Sequence, residues 1–303
     1  MVNEVTKHYL KCFVERRMVM AFKIGVMVDS FRLPVREGLK KAKEIGAAGV
    51  QIYAVRGEMD PDNLSKEARQ ELLKYIKDLG LEVSALCGDL GSPGFTNAQL
   101  NPERIEKSKR IVDLACDLET KVITTHIGVV PDDPSSERYK TMQAACNDIG
   151  AYAEKKGCHF AIETGPEPSS TLRRFLDSLD TKGVGVNFDP ANLVMVIGED
   201  AAAAVANLGP YIVHTHAKDG IQYKPIDPEL VYDPEKRSES PEVQIPDHFK
   251  EVPLGEGQVD WKQYLKALKE EGFDGYLTIE REVGENPEQD IKIAVDFLKN
   301  LLA

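Results

Sequence analysis

Residues 160–217 read FAIETGPEPSSTLRRFLDSLDTKGVGVNFDPANLVMVIGEDAAAAVANLGPYIVHTHA. Three short apolar runs stand out in this stretch: Phe160–Thr164, Val184–Asp189 and Ile212–Ala217. Nearly continuous apolar runs of this length are the pattern of strands buried on both faces of a parallel sheet. Helical stretches, Ser170–Leu179 and Glu199–Leu208, lie between them. Strand, helix and strand again is the βαβ crossover, which parallel strands require.

The same rhythm continues outward. Phe22–Asp29, Gly49–Ala54, Leu81–Leu86 and Val122–Ile127 read as strands before the quoted stretch, and Tyr276–Glu280 after it. Helices are expected over Val35–Ile45, Ser65–Leu79, 101–118, Ser136–Lys156 and Trp261–Glu271, with a last one opened by Asn286-Pro287-Glu288. Gly80, Gly157 and Gly272 stop helices, and Asp260 caps one. Asn101-Pro102-Glu103 reads as an N-cap, a proline at the first helical position and an acid in the first turn. Eight strands alternating with eight helices predict an α/β fold, a (β/α)8 TIM barrel in a single domain over 21–303. An open doubly wound sheet would need one or two of these strands to be spurious.

Residues 1–20 lack a long apolar stretch and a small-residue cleavage site. They read as an N-terminal extension or an upstream start codon, not a secretory signal. Between the seventh strand and Asp260 the rhythm breaks. Residues 221–250 hold five prolines, Pro225, Pro228, Pro234, Pro241 and Pro246, and seven acids, which excludes a regular helix. This Pro-rich insertion follows a strand's carboxyl end, so it should overhang the active-site face like a lid.

The chain has 303 residues, with 38 Lys+Arg against 50 Asp+Glu and a net charge of −12. That balance argues against nucleic acid as a partner, because phosphate binding needs positive charge. No apolar run reaches the length of a membrane span, so no membrane partner is expected. Five scattered cysteines without C-x-x-C read as reduced thiols in a cytoplasmic protein.

The chemistry gathers at strand ends. The fifth strand ends in Glu163, the sixth in Asp189, the seventh in His216 and the eighth in Glu280. In a barrel all four side chains converge on one mouth. One such acid is ordinary solvation of a strand end, whereas four on consecutive strands describe a site. Two Glu, one Asp and one His make a hard, oxygen-rich divalent metal site, suited to Mn2+ or Mg2+, with Co2+ or Zn2+ also compatible. His214 shares parity with His216 and is placed one layer deeper, orienting it or packing; it is also counted among the substrate-binding candidates. Glu282 shares parity with Glu280 and is placed at the rim. His126 ends the fourth strand and is a candidate for substrate binding, with a structural role the alternative. Lys218 either binds a substrate group or pairs with Asp219 or a rim acid. Gln51 and Asp29 are further polar residues at strand ends. Trp261 reads as packing.

The segments AIETG (161–165), NFDPANL (187–193), HTHAKDG (214–220), PLGEGQVDW (253–261) and GYLTIERE (275–282) resemble the xylose isomerase-like barrels, the sugar phosphate isomerase/epimerase superfamily. The resemblance runs from Phe22 to the C-terminus. It implies a divalent metal held by Glu163, Asp189, His216 and Glu280, and proton transfer on a keto-sugar or polyol. In the ketose 3-epimerases of that group the two ligand glutamates, here Glu163 and Glu280, also act as the acid–base pair. Those epimerases carry a His after the sixth-strand Asp, where this chain has Asn192, a substrate-binding candidate. They also carry an Arg beyond the seventh-strand His, where this chain has Lys218-Asp219. The H-x-K-D form is closer to the inosose-type branch. Related barrels often pair, so the resemblance admits a homo-oligomer without fixing the oligomeric state.

The expected function is a divalent-metal-dependent epimerase or isomerase working through an enediolate. The nearest alternative is a dehydratase or lyase on a keto-inositol or oxidised sugar. Two remoter ones are an abasic-site endonuclease-like barrel, which needs more histidines than the six present, and a non-catalytic sugar-binding barrel.

Overall fold

The computed structural model describes residues 22–303. The extension at 1–20 lies outside the described residues. The strands, in chain order, are β1 (Lys23–Met27), β2 (Gly49–Tyr53), β3 (Glu82–Cys87), β4 (Val122–Thr125), β5 (His159–Glu163), β6 (Val184–Phe188), β7 (Ile212–Ala217), β8 (Asp219–Gln222), β9 (Phe249–Val252) and β10 (Tyr276–Ile279). β1 pairs in parallel with β2 on one side and β10 on the other. That contact closes a barrel of order β1-β10-β7-β6-β5-β4-β3-β2. The fold is therefore a (β/α)8 TIM barrel, and the open-sheet alternative is excluded. β8 and β9 form a separate antiparallel pair.

The helices are α1 (Val35–Glu44), α2 (Lys66–Asp78), α3 (Asn101–Asp117), α4 (Glu137–Lys156), α5 (Ser169–Asp177), α6 (Ala201–Leu208), α7 (Pro228–Tyr232), α8 (Pro234–Glu239), α9 (Trp261–Glu270) and α10 (Pro287–Leu302). All but α7 and α8 flank the barrel. Each flanking helix presents an apolar face to the sheet: Leu39, Ile76, Leu114, Ile149, Phe175, Val205, Leu268 and Leu298, one from each, are fully buried. Truncating any of these to Ala costs about 2–5 kcal/mol by loss of transfer energy and creation of a cavity. At the barrel's closed end, Gly49 leaves room for the Tyr276 ring, which stands 2.5 Å from where a Cβ would lie. No single helix among the described residues is long and apolar enough to cross a membrane.

Two caps match expectation. Asp260 accepts from Gln263 N and Asn286 from Gln289 N; Ser65, not singled out as a cap in the sequence, also accepts from Ala68 N. One differs. Asn101 does not cap α3; its amide is buried and donates to Phe95 O at 3.0 Å. Asn97 caps the turn before the helix instead, accepting from Gln99 N and Leu100 N. An Asn buried under a loop satisfies that loop's carbonyl, and this need overrides the capping pattern.

The insertion is more regular than its prolines imply. Its base is the β8–β9 ladder, from Asp219↔Val252 to Gln222↔Phe249. Pro228 and Pro234 open α7 and α8 at the first helical position, where no N–H is needed, and Asp227 and Asp233 cap them. Its apolar side, with Ile226, Val231, Ile245 and Phe249, packs on Ala191, Met195 and Val196. Those three belong to a wide π-helical turn and its approach, which follow Asp189 directly. Gln222 Nε2 donates to Met195 O at 3.1 Å and fastens the two together.

Candidate metal centre and active site

The site is assembled by four strand ends. Glu163 is the last residue of β5, Asp189 follows β6, His216 is the penultimate residue of β7, and Glu280 follows β10. One ligand atom from each lies within 4.8 Å of the others. His216 Nδ1 stands 3.2 Å from Glu280 Oε2, 3.4 Å from Glu163 Oε1 and 3.4 Å from Asp189 Oδ2. All four residues are buried. The three carboxylates outnumber the one buried ammonium beside them, Lys218, and leaving the excess charge uncompensated would be costly. Asp189 Oδ2 and His216 Nδ1 are moreover buried with no hydrogen-bond partner. Three carboxylate oxygens and one imidazole nitrogen gathered at one point, two of the four atoms without a hydrogen-bond partner, fit a divalent ion.

The layer beneath orients the imidazole. His216 Nε2 lies 3.1 Å from Gln51 Oε1. With an ion at Nδ1, that oxygen, which only accepts, would accept from a protonated Nε2, while Asn187 Nδ2 at 3.2 Å from the same nitrogen only donates. Without an ion, burial opposes the charge, but the surrounding carboxylates hold the imidazole protonated well above its usual range. Gln51 is fixed in turn by His214 Nε2 at 3.0 Å and by donating to Thr124 Oγ1 at 2.9 Å. His214 also bonds Thr278 Oγ1 at 3.0 Å. His214 is thus one layer deeper, and it does not line the cavity. The expectation that it binds substrate is corrected: two residues along a strand keep the same facing but descend a full layer into a closed barrel. Burial, with the neighbouring His216, pushes its pKa down to about 3, so it is neutral.

Glu163 is held from two sides. Asn187 Nδ2 donates to its Oε2 and Asn192 Nδ2 to its Oε1, both at 3.1 Å. Asn192 therefore positions a ligand carboxylate while also lining the cavity. Glu280 is held differently. Lys218 Nζ lies 3.0 Å from Glu280 Oε2 and also pairs with Glu282 at the rim. Burial works against ionising Glu280, but Lys218 and His216 overcome it and hold the carboxyl below the usual range. Burial likewise opposes the Lys218 ammonium, and Glu280 and Glu282 more than offset it. Asp219 is not the partner of Lys218. It turns away and accepts from Gly220 N, Gly255 N, Val259 N and Trp261 Nε1 at 2.9–3.2 Å, which shapes the segment after the insertion. Trp261 is accordingly buried packing.

His126 lines the cavity. Its Nδ1 lies 3.2 Å from Asp89 Oδ2 and its Nε2 3.9 Å from Glu163 Oε1. Burial opposes its charge, yet Glu163 and Asp89 raise the pKa to about 10. Asp29 serves the backbone, accepting from Tyr53 N at 3.0 Å, and is absent from the metal-ligand cluster.

Sequence reasoning did not single out Asp89, Glu167 or Tyr232. Asp89 follows β3, so the strand-end argument applied to LCGD could have found it. Glu167 is buried behind His126, where it accepts from Val130 N at 3.0 Å, and burial raises its pKa to about 8. Tyr232 ends α7, and its ring lies 5.4 Å from that of His126. No pattern in the chain signals that contact.

The family profile described as xylose isomerase-like TIM barrel matches residues 39–301. The chain belongs to that family. An inosose dehydratase from Clostridium perfringens is 28% identical over 152 residues, 49% of this chain and 48% of that protein. The chain thus spans about half the length of that curated relative. The crystal structure of a xylose isomerase domain protein from Planctomyces limnophilus is 26% identical, with a TM-score of 0.74, covering 93% of this chain and 97% of that one. A D-psicose 3-epimerase solved in the presence of D-fructose shares the fold at 16% identity, with a TM-score of 0.69 over 93% of this chain and 99% of its own. This member of the family carries a buried Glu/Asp/His/Glu group that can hold a divalent metal.

Proposed function

We propose that this protein is a divalent-metal-dependent epimerase or isomerase that moves a proton at the carbon beside the ketone of a keto-sugar or related polyol. The observation that carries this reading is a division within the ligand cluster. Glu163 and Glu280 also line the cavity, whereas Asp189 and His216 lie beneath it. Two carboxylates that face both the metal position and the substrate space are placed to act as base and acid. Glu163, Asp189, His216 and Glu280 would hold the ion, and Mn2+ suits this oxygen-rich set. When bound, the ion supplies Lewis-acid polarisation of a carbonyl oxygen.

The chain's own residues do the rest. Asn187 and Asn192 orient Glu163 to remove the proton. Lys218 fixes Glu280. His126, held by Asp89, offers Nε2 to a substrate oxygen. The expected site is intracellular sugar metabolism, in the cytoplasm.

A second reading is dehydration of a keto-inositol or oxidised sugar. The Lys218–Glu280 pair favours it, because a carboxylate tied to an ammonium is a weaker proton carrier. Elimination needs one base, Glu163, and one acid for the leaving hydroxyl, for which His126 is placed.

Incubation of the Mn2+-loaded protein in D2O with ketoses and keto-inositols separates these. Deuterium at the carbon beside the ketone without loss of water supports epimerization or isomerization. A new enone or diketone supports elimination. No exchange and no turnover with any of them would sink both.

A further inference from the structure

The cavity above the carboxylates changes character from floor to mouth. It encloses about 530 Å3, within the range of sites that take drug-sized ligands. Its floor carries Glu163, Glu280, His126, Asn192 and Lys218. Its outer wall carries an apolar stretch, Val231, Ile245, Pro246 and Phe249 from the insertion and Val283 from the loop after β10, set beside the charged Lys250, Glu251 and Glu282. Tyr232 stands at the boundary. Its hydroxyl oxygen lies 2.6 Å from where a Cβ on Gly165 would stand, and Gly165 has φ +132°, so only glycine fits beside it. Arg237 is also at the mouth, but it donates from Nε and Nη2 to Leu230 O and Val231 O. Those two donors are thereby turned onto the insertion's own backbone.

A free hexose or polyol bears hydroxyls on nearly every carbon. It would leave the apolar stretch of this wall wetted at a cost. We propose that the substrate carries an apolar alkyl or aryl group on the end facing away from the carboxylates, and that the insertion with Val283 forms the subsite for it. This deepens the function proposed above and rests on it. Packing of the insertion alone accounts for Val231, Ile245 and Phe249, which sit on Met195 and Val196. It does not account for Val283, which is 47% exposed and belongs to none of the packed apolar clusters. Apolar surface therefore reaches the same space from both sides of the mouth.

The test uses the Mn2+-loaded full chain and two probes with the same ketone and hydroxyls, methyl and phenyl 3-ketoglucoside, titrated by calorimetry. The phenyl compound should bind at least about tenfold tighter. Val283→Ser and Ile245→Ser should each reduce that ratio about threefold or more, with methyl-glycoside affinity and metal content unchanged. Equal affinity for the two probes overturns the inference. So does a phenyl advantage that survives both substitutions. If the methyl compound binds and exchanges its proton in D2O without any phenyl advantage, the function stands and only the subsite falls. If neither probe binds and no ketose is turned over, the function itself fails and the subsite with it.

Discussion

The floor and the roof of the cavity are built on opposite principles. The floor is made of side chains at fixed points of a closed sheet, where register decides height and parity decides facing. Glu163, Asp189, His216 and Glu280 come from four strands yet meet within 4.8 Å. The roof is one insertion, whose contacts depend on how short helices and loops settle on the turn after Asp189. On the function and subsite proposed above, chemistry rests on the rigid part, and shape selection on the part that can vary.

The largest expected effect lies at the floor. Glu163→Gln should lower turnover by about a thousandfold or more, the range for a lost general base. The amide oxygen can still accept from one of Asn187 and Asn192, and the side chain keeps its volume, so the fold should hold. Retention of near-full activity would remove Glu163 from the chemistry. One layer down, Gln51→Leu should weaken divalent metal affinity by about 10–100-fold, as loss of a partner that orients a metal-bound His does. An unchanged affinity would show that the tautomer of His216 is set elsewhere.

A smaller effect is predicted behind His126. Glu167 is a buried carboxyl whose pKa is raised to about 8, chiefly by burial. The unfolded chain ionises this group near its ordinary value, while the folded chain keeps it protonated. Its contribution is therefore most favourable below about pH 4.5 and is lost as pH rises towards about 8, with a limiting slope near 1.4 kcal/mol per pH unit. Glu167→Gln should flatten that decline in denaturant titrations between pH 5 and 8. Parallel curves for the two proteins would argue against a buried proton at this position.

The smallest effect belongs to the roof. Arg138 Nη1 pairs with Glu229 Oε1 at 2.7 Å and ties the insertion to the start of α4. Arg138→Ala should cost no more than about 1 kcal/mol, as half-exposed ion pairs do. It should speed proteolysis within 228–239 while leaving metal affinity unchanged. A matching loss of metal affinity would mean that floor and roof are not separable.

The same contrast explains what was legible in the chain. Apolar runs of four to six residues alternating with helices specify the barrel, and the polar residues at the ends of the last four runs specify the cluster. Residue parity placed His214 below His216. It could not say that a closed barrel shuts His214 off from substrate. The partner of Lys218 was open among Asp219 and the rim acids, because β8 turns away immediately after Lys218 and takes Asp219 with it. Asn101 looked like a cap because capping is local, whereas its burial under the Phe95 loop is tertiary. Tyr232 was illegible for a related reason: no periodicity links a Pro-rich insertion to the fourth strand of a barrel.

The β8–β9 ladder has one more consequence. The chain leaves the barrel at Asp219 and returns opposite it at Val252, and paired antiparallel residues stand only about 4.5–5.5 Å apart. Such a junction works as a socket. Residues between its two ends can be lengthened, shortened or exchanged without moving a single strand of the barrel. Descent within this family could therefore trade one substrate for another by replacing a cassette, while the ion-binding residues are inherited unchanged.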